Sequence, residues 1–366
     1  MKKILVVHVI DNLNGGGAEK LLLNICKGVI ANSNRIEFRI LLLEDKTFLG
    51  PHFLDANISF EVLDLKSDRF FHKIKVLTSR LRELRPSIVH SHLIRTDQIA
   101  PLSAFLARVP FKLSTIHSTN PNMSRYFKVG RKMASIFCDT LIAVSNSAKE
   151  VCAQKSMYPV EKMKVICNAP GFIPSSKVSP RNGESCKRMI HVGRLHESKG
   201  QVYLIRALRK VLDKGLPCNL VILGEGGDRQ LLEELICKLN LKENAQLIGF
   251  DDDVEKHLLE ADFFVASSLW EGLPLAQIEG MMMGVPLIAT NIPAHVEILG
   301  GNKDLIISLA EPANIESLAE SIEQALNLSS DDYTLESKRV IEQSQRYSMD
   351  KMIEEYILLY TMTKDS

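Results

Sequence analysis

The chain has 366 residues, of which 45% are hydrophobic and 24% are charged, as is ordinary for a globular protein. This length predicts two domains, and no apolar run reaches the roughly 18–20 residues that a membrane-spanning helix needs. The seven cysteines are scattered and form no C-x-x-C pair, which argues against a disulfide framework or a zinc site and for a reducing cytoplasm.

Although the net charge is only +1, the charge is unevenly distributed along the chain. Residues 1–180 hold 26 Lys and Arg against 14 Asp and Glu, whereas the remainder hold 19 against 30. The basic half is therefore expected to meet an anionic partner, which leaves a membrane surface, an anionic substrate and a nucleic acid as alternatives.

Short β-rich apolar runs alternate with helical patterns along the whole chain. In the first half the predicted strands are Ile4–Ile10, Phe38–Leu43, Ile88–His90, Lys112–Ile116, Thr140–Val144 and Lys164–Ile166. In the second half they are Met189–Val192, Asn219–Leu223, Gln246–Leu247, Phe263–Ala266, Pro286–Ala289 and Asp304–Ile307. Runs that are apolar on both faces and separated by helix-length segments are typical of parallel sheets covered by helices. The sequence therefore predicts an α/β protein with two doubly wound, Rossmann-like domains.

A segment rich in Pro, Gly, Ser and Asn separates the two sets of strands. We predict an N-terminal domain at 1–170, a linker at 171–187 and a C-terminal domain at 188–348. The final residues, 349–366, carry an amphipathic helix that we assign to the N-terminal domain. Because ligands bind beyond the carboxyl ends of parallel strands, we expect the site in the cleft between the two domains.

A glycine-rich loop with the sequence NGGGAE follows the first predicted strand, at 14–19. Gly16 and Gly17 would let the backbone approach a phosphate closely, and the N-terminus of the next helix would offer free N–H groups. The loop matches neither G-x-G-x-x-G nor the Walker A motif, so a flexible strand-to-helix turn is an equal alternative.

Two cations, Arg194 and Lys199, follow the predicted strand Met189–Val192 within the sequence GRLHESKG. A guanidinium and an ammonium at a strand end suit a diphosphate, because the guanidinium fork grips two oxygens while the ammonium neutralises a third. The alternative is a solvated surface turn.

The most specific motif is the sequence WEGLPLAQIEG at 270–280. Glu271 is expected in the loop after strand Phe263–Ala266, and Glu279 is expected two turns into the helix that follows. The intervening Gly-Leu-Pro allows a tight turn and starts the helix, so that N–H groups are exposed to a ligand. Because apolar residues flank Glu279, we favour a ligand contact over a solvated helix position.

Three other patterns could suggest a metal site or a dinucleotide-binding loop, but we expect neither. We expect His90 and His92 to face opposite sides of a strand and to bind no metal, with His92 instead contacting a ligand. The sequence GEGG at 224–227 lacks the third glycine of a dinucleotide loop and is expected to be a ligand-facing turn. The acidic run Asp251–Asp253 is expected to cap a helix rather than to hold Mg²⁺.

Together these motifs resemble those of the retaining GT-B glycosyltransferases of family 4. Their order and spacing agree across residues 189–300, through the sequences GRLHESKG at 193–200, GEG at 224–226, GF at 249–250 and EGLPLAQIE at 271–279. The first half is similar more loosely, through its Gly-Gly-Ala-Glu loop and the sequences VHSH at 89–92, TIH at 115–117 and IAVS at 142–145.

The resemblance implies a GT-B fold and a role for each matching residue. Arg194 and Lys199 would bind the donor diphosphate, and Glu271 would face the hydroxyls of the donor sugar. Glu279 would hold the ribose hydroxyls, and His117 would lie beside the anomeric centre. The other donor-binding positions that the resemblance implies are Gly16, Gly17, Gly193, Gly224, Gly249, Phe250, Val254, Gly272, Leu273, Pro274 and Leu275.

The activity that the resemblance implies is transfer of a sugar, with retention, from a nucleotide-sugar donor. A UDP-sugar donor, a glycan or lipid-linked acceptor and a role in bacterial surface polysaccharide synthesis are expected, with no cofactor and no metal. The cations and helix N-termini can stabilise the departing diphosphate by themselves. Since no carboxylate nucleophile is evident in the first half, we expect front-face attack by the acceptor. Two departures from the family pattern are Asn168-Ala169-Pro170 and Leu273, and the second bears on sugar choice.

Two alternatives to this activity stay open. The first is a GT-B sugar-nucleotide epimerase or a glycogen-type synthase, which the two-glutamate motif and the short chain respectively disfavour. The second is a nucleic-acid-binding regulator that uses the basic half, although no helix-turn-helix, RNP or zinc-finger pattern supports it.

Two basic segments of the first half, Lys66–Arg85 and Arg125–Lys132, combine cations with aromatic and aliphatic side chains. Basic amphipathic helices suit an anionic membrane surface, so we expect peripheral binding at the inner face of the cytoplasmic membrane. Ordinary surface helices that pack an apolar stripe on the sheet are an equal alternative.

Overall fold

The computed structural model describes residues 3–65, 69–120, 124–155, 158–171, 174, 186–301 and 305–362, with the backbone only at 125–127. The chain divides into two compact units, Met1–Gly171 with Ser348–Ser366, and Phe172–Tyr347. Most of the predicted linker lies outside the described residues. In the described part of the chain, no helix combines the length and the apolar character that crossing a bilayer requires.

The first unit is built on a seven-stranded parallel sheet in the order β3-β2-β1-β4-β5-β6-β7. Its strands are β1 (Ile4–Ile10), β2 (Ile36–Leu42), β3 (Ser59–Val62), β4 (Ile88–His92), β5 (Phe111–Ile116), β6 (Thr140–Ala143) and β7 (Met163–Val165). Its helices are α1 (Gly17–Asn32), α2 (Gly50–Asp55), α3 (Phe70–Leu84), α4 (Ile94–Leu106), α5 (Arg125–Ser135) and α6 (Asn146–Gln154). The central strands are buried on both faces, since every residue of β4 is buried.

The last helix of the chain, α14 (Met349–Thr361), also belongs to the first unit. It packs against α1 and β1. Its five predicted apolar positions are all buried: Met352, Ile353, Tyr356, Leu359 and Tyr360. Helical spacing puts these side chains on one face, which therefore covers one side of the sheet.

The second unit is built on a five-stranded parallel sheet in the order β10-β9-β8-β11-β12. Its strands are β8 (Lys187–Val192), β9 (Cys218–Leu223), β10 (Ala245–Gly249), β11 (Phe263–Ala266) and β12 (Leu287–Ala289). Its helices are α7 (Gln201–Asp213), α8 (Arg229–Lys238), α9 (Val254–Leu259), α10 (Leu275–Met282), α11 (Pro293–Ile298), α12 (Ile315–Leu326) and α13 (Ser330–Ser344). Aliphatic side chains of the strands and of α7, α8 and α12 share one core.

These sheets confirm the predicted fold class of two doubly wound, Rossmann-like α/β units. Predicted strand ends differ from the observed ones by up to two residues, one strand was missed and one predicted strand is wrong. The edge strand β3 was missed because none of its four residues is fully buried, so it carries no apolar run. The strand predicted at Asp304–Ile307 is wrong over its described residues, where the chain bends, and a single bridge between Thr290 and Ala310 extends the sheet edge instead.

The strand order locates the ligand-binding edge of each sheet. In the first unit the strand order reverses between β1 and β4: β2 and β3 are added beside β1, and β5, β6 and β7 are added beside β4. In the second unit the order reverses between β8 and β11. Ligands of such sheets bind at this switch point, beyond the carboxyl ends of the two strands. A ligand site is therefore expected at the loops that follow these four strands.

Candidate functional site

The loops that follow β8 and β11 bring Lys199 and Glu271 together. The Lys199 ammonium and the Glu271 carboxylate form an ion pair, and the Ser268 hydroxyl donates to the same carboxylate oxygen at 2.8 Å. Both charged side chains are mostly buried, with exposures of 19% and 11%. The sequence separates them by 72 residues, and the fold joins them because β8 and β11 are neighbours in the sheet.

A close backbone approach holds these two loops together. Gly200 has a φ of +65°, and a Cβ at this position would lie 2.1 Å from the carbonyl oxygen of Ser267. The Ser267 hydroxyl donates to the carbonyl oxygen of Lys199 at 2.8 Å. Position 200 therefore requires glycine if the loop that carries Lys199 is to touch the loop that carries Glu271.

A second close approach joins the ends of β8, β9 and β10. Gly224 has a φ of +136°, and a Cβ there would lie 2.0 Å from the carbonyl oxygen of Gly193. The N–H of Gly193 donates to Leu223 at 3.0 Å, and the N–H of Gly224 donates to Gly249 at 2.7 Å. Three glycines of the predicted donor site thus form one backbone edge that carries no side chains.

Two buried histidines lie beside the ion pair, His191 and His295. Each has its Nδ1 2.9 Å from a backbone carbonyl oxygen, to which it donates. Burial lowers the pKa of both rings to about 4, so both are neutral at pH 7. Burial alone would raise the pKa of the Glu271 carboxyl, but the Lys199 ammonium holds it below its ordinary value and keeps it ionised.

Sequence reasoning missed both histidines. The available signal was a histidine inside an apolar strand, since His191 is the fifth residue of β8. A buried polar side chain in such a strand requires a partner, and a site beside the strand end can supply one.

Arg194 lies at the same strand end and is exposed. Its carbonyl oxygen accepts a hydrogen bond from the Gln201 amide at 2.9 Å, and within the described part of the chain its guanidinium forms no ion pair. The Lys199 side chain runs along the preceding backbone, with its Cε 3.3 Å from where a Cβ on Gly193 would lie. The two predicted cations therefore share the end of β8.

The second glutamate of the motif, Glu279, lies closer to the start of its helix than we expected. Helix α10 begins at Leu275, which puts Glu279 one turn into the helix, not two. The chain needs the residues up to Pro274 for the turn, and all three of Gly272, Leu273 and Pro274 are buried. Glu279 is half-buried, and α10 has no side-chain cap at its first turn.

The loop after β10 turns at Gly249, which has a φ of +90°. Phe250 is 47% exposed, and Val254 begins α9. The acidic run caps that helix as predicted, since the Asp253 carboxylate accepts from the N–H of Lys256 at 3.2 Å. The Asp251 carboxylate lies 2.7 Å from His257, and this contact holds the pKa of the carboxyl below its usual range.

The remaining predicted site residues, Gly16, Gly17 and His117, belong to the first unit. Gly16 is the N-cap of α1, where no side chain caps the helix, and a Cβ on Gly17 would meet no atom within 4 Å. His117 follows β5 directly and is half-buried. Its Nε2 lies 3.1 Å from the Nδ1 of His92.

The prediction that His90 and His92 face opposite ways is wrong. Side chains two residues apart on a strand share a face, and the centroids of these two rings lie 4.2 Å apart. With His8 they form a cluster whose ligand atoms lie within 4.8 Å of one another, the spacing that a metal ion would need. However, both nitrogens of His90 are engaged, by the Tyr360 hydroxyl at 2.9 Å and the Thr115 hydroxyl at 2.7 Å.

Carboxylates at this edge of the first sheet were also missed. Asp11 directly follows β1, and Glu44 follows β2 and pairs with Arg95. Burial raises the pKa of Asp11 to about 6, and the nearby Glu44 adds to the effect while Arg95 opposes it. The sequence signal for Asp11 was its position directly after the first predicted strand, where ligand-binding residues are expected.

Comparisons with known proteins identify the family of this chain. The sequence model described as Glycosyltransferase Family 4 matches residues 15–169, and the model described as Glycosyl transferases group 1 matches residues 174–346. An uncharacterized glycosyltransferase of Haemophilus influenzae is 26% identical over 97% of this chain and 99% of its own length.

The chain is also similar to a galactosyltransferase in sequence and to a crystal structure in fold. The UDP-Gal:alpha-D-GlcNAc-diphosphoundecaprenol alpha-1,3-galactosyltransferase of Escherichia coli is 29% identical over 65% of this chain and 65% of its own length. The crystal structure of Anabaena HepE in complex with UDP and glucose has a TM-score of 0.82 and 19% identity, over 98% of this chain and 100% of that chain. The two family models meet near the boundary between the units, and the structure shares the fold of HepE. The chain therefore belongs to the GT-B glycosyltransferases of family 4.

Proposed function

We propose that this glycosyltransferase transfers a sugar, with retention, from a UDP-sugar to a glycan or lipid-linked acceptor in bacterial surface polysaccharide synthesis. The observation that carries the proposal is the end of β8, where the exposed Arg194 adjoins Lys199, whose ammonium is paired with the buried Glu271. The E. coli relative's name supplies the UDP-sugar and the lipid diphosphate acceptor, and HepE was solved with UDP and glucose.

In this proposal the cations receive the negative charge that develops on the departing diphosphate. The Arg194 guanidinium binds two phosphate oxygens, and the Lys199 ammonium neutralises a third. Because Glu271, which itself accepts a hydrogen bond from Ser268, already holds Lys199 in place, little reorganisation is needed when charge develops. Glu271 also faces the hydroxyls of the donor sugar.

Other residues complete the proposed donor site. Glu279 holds the ribose, and the N–H groups from Gly272 to Leu275 approach the sugar and phosphate. The loop from Gly249 through Phe250 to Val254 lies near the base. Gly16 and Gly17 approach the phosphates, and His117 lies beside the anomeric carbon.

We propose that no metal takes part. Arg194 and Lys199 supply the positive charge that a divalent cation would otherwise bring. The acidic run best suited to bind a cation has other partners, because Asp253 caps α9 and Asp251 contacts His257.

The family favours transfer over two of the alternatives considered above, an epimerase and a nucleic-acid-binding regulator. The acceptor, rather than a nucleic acid, is then the partner that the basic first half meets.

A thermal-shift screen against UDP-, GDP- and ADP-sugars tests the donor class. A ligand that binds only the folded protein stabilises it by about 2.7 kcal/mol at 100 times its Kd, so the UDP-sugar should raise Tm by about 5 °C or more. The shift should be reduced but still measurable in Lys199→Ala, and unchanged in Lys210→Ala, a surface lysine of the same unit that pairs with Glu316. If none of the three sugar classes shifts Tm, the donor assignment is wrong.

We further propose that α5, rather than α3, provides contact with an anionic membrane. The apolar stripe of α3, Ile74, Leu77 and Leu81, is buried. Its exposed large apolar side chains are Phe70 and Phe71, at the start of the helix. On α5 and directly after it, by contrast, the apolar side chains of Val129, Met133 and Ile136 are each more than half exposed.

The same face of α5 carries charge and opens into a cavity. Lys132 lies beside the exposed apolar residues and is itself exposed. The cavity has a volume of about 410 Å³ and is lined by Val129, Lys132, Met133, Ile136, Ala153, Tyr158, Pro159, Val160 and Glu161. Exposed apolar groups beside a cation suit the interface of an anionic bilayer.

Flotation with vesicles that contain anionic lipid tests this surface. The protein should float with the vesicles at low salt and less so at high salt, because the electrostatic part of the attraction is screened. The double variant Met133→Glu with Ile136→Glu should remain at the bottom of the density gradient. Leu335→Glu, at an exposed site on α13, should float with the vesicles. Absence of flotation at low salt would reject the membrane proposal and leave the donor site unaffected.

A further inference from the structure

Three histidines of the first unit form a hydrogen-bonded chain that runs from the sheet interior towards its carboxyl edge. The Nδ1 of His8 lies 2.8 Å from the Nε2 of His92, and the Nδ1 of His92 lies 3.1 Å from the Nε2 of His117. His8 and His92 are fully buried, whereas His117 is half-buried. The row of three histidines thus has one interior end, at His8 on β1, and one outer end, at His117 directly after β5.

All three rings are neutral at neutral pH. Burial lowers the pKa of His8 to about 3 and that of His117 to about 4, and it lowers the pKa of His92 well below its ordinary value. A neutral imidazole carries one N–H, so it donates through one nitrogen and accepts through the other. The two hydrogen bonds must therefore point the same way along the chain.

The buried end of the chain decides between the two directions. If each ring donated inward, the last N–H would be on the Nε2 of His8, which is buried without a hydrogen-bond partner in the described part of the chain. The rings of Phe38 and Tyr360 adjoin His8, with centroids at 5.3 and 6.3 Å. Orphaned buried N–H groups are rarer in proteins than under-satisfied acceptors, which favours donation outward from His8.

We propose that His8, acting through His92, fixes His117 as the tautomer that is protonated at Nδ1. His117 then offers an N–H donor beyond the end of β5, suited to a hydroxyl or phosphate oxygen of the nucleotide sugar. This consequence for binding rests on the proposed function, whereas the tautomer itself does not. His8 and His92 are positioning residues, because they act through His117.

NMR of the protein labelled with ¹⁵N-histidine tests the tautomer without any substrate. The resonances of His117, identified by their loss in His117→Gln, are expected to be those of the ring protonated at Nδ1. His8→Phe removes the donor but keeps a ring in the cavity, and it should turn His117 into a mixture of tautomers. His8→Asn should restore the single tautomer, because its amide nitrogen can take the place of the histidine Nδ1.

Tyr360→Phe is the matched control. Tyr360 is buried on the same face of the sheet, but its hydroxyl forms a hydrogen bond with His90, which is not one of the three histidines in the row. Its removal should lower stability and leave the His117 tautomer unchanged. A His117 protonated at Nε2 in the unsubstituted protein, or one unchanged in His8→Phe, would overturn the proposal.

Kinetics provide a second readout once a donor is known. His8→Phe should lower kcat about tenfold with little change in KM, which is the scale expected for losing one oriented hydrogen bond in the transition state. His8→Asn should recover most of the rate. Should the tautomer behave as expected while the unsubstituted protein transfers no sugar, the proposed function fails and the histidine chain stands.

Discussion

Replacing Lys199 or Arg194 by alanine is expected to lower the rate of sugar transfer at least ~100-fold, because each cation stabilises charge that appears only as the diphosphate departs. The loss should fall mainly on kcat, since the interaction strengthens in the transition state. Steady-state kinetics, with the nucleotide sugar that gives the largest thermal shift, measure the effect. A near-normal rate in either variant would remove the diphosphate assignment.

The two variants should differ in stability, which separates a catalytic effect from a folding defect. Lys199→Ala leaves the buried Glu271 carboxylate without its cation, and should lower the free energy of unfolding by about 2 kcal/mol. Arg194 is exposed, so Arg194→Ala should unfold like the parent protein. Lys210→Ala, which breaks a surface ion pair of 2.8 Å with Glu316, should change neither the rate nor the stability.

Replacing Gly224 by alanine is expected to destabilise the second unit by about 3 kcal/mol or more. The new Cβ would lie 2.0 Å from the Gly193 carbonyl oxygen, and the φ of +136° is strained for any residue with a side chain. Relief of this clash must separate β8 from β9 at their carboxyl ends, which would displace Arg194. Denaturant unfolding measures the change in stability.

Gly227 provides the matched control, three residues further along the same turn. A Cβ at Gly227 meets no atom within 4 Å, and its φ is outside the left-handed region. Gly227→Ala should therefore alter the free energy of unfolding by less than about 0.5 kcal/mol. Equal stability of the two variants would show that the backbone contact at Gly224 does not constrain the loop.

Much of the architecture could be predicted because a parallel sheet leaves a clear pattern. Strands such as β1 and β11 are apolar on both faces, and their observed limits are the predicted ones, Ile4–Ile10 and Phe263–Ala266. The edge strand β3 is half-exposed and lacks that pattern. The last predicted strand failed because a short apolar run between turn residues does not by itself distinguish a strand from a bend.

The site was less predictable, because its contacts depend on strand order. Lys199 and Glu271 belong to separate motifs, and only the pairing of β8 with β11 makes them partners. Likewise, His8 meets His92 because β1 lies beside β4. No sequence pattern specifies which strands are neighbours. The error at His90 was avoidable, since the two-residue period of a strand already puts His90 and His92 on one face.

The return of α14 to the first sheet has a consequence for synthesis on the ribosome. The face of β1 and β4 that bears His8 and His90 is covered by Tyr356 and Tyr360, which are translated after the whole of the second unit. Most nascent proteins complete their amino-terminal domain first. Here the second unit ends at Tyr347, before α14 is translated. The second unit can therefore fold on the ribosome before the first unit is complete.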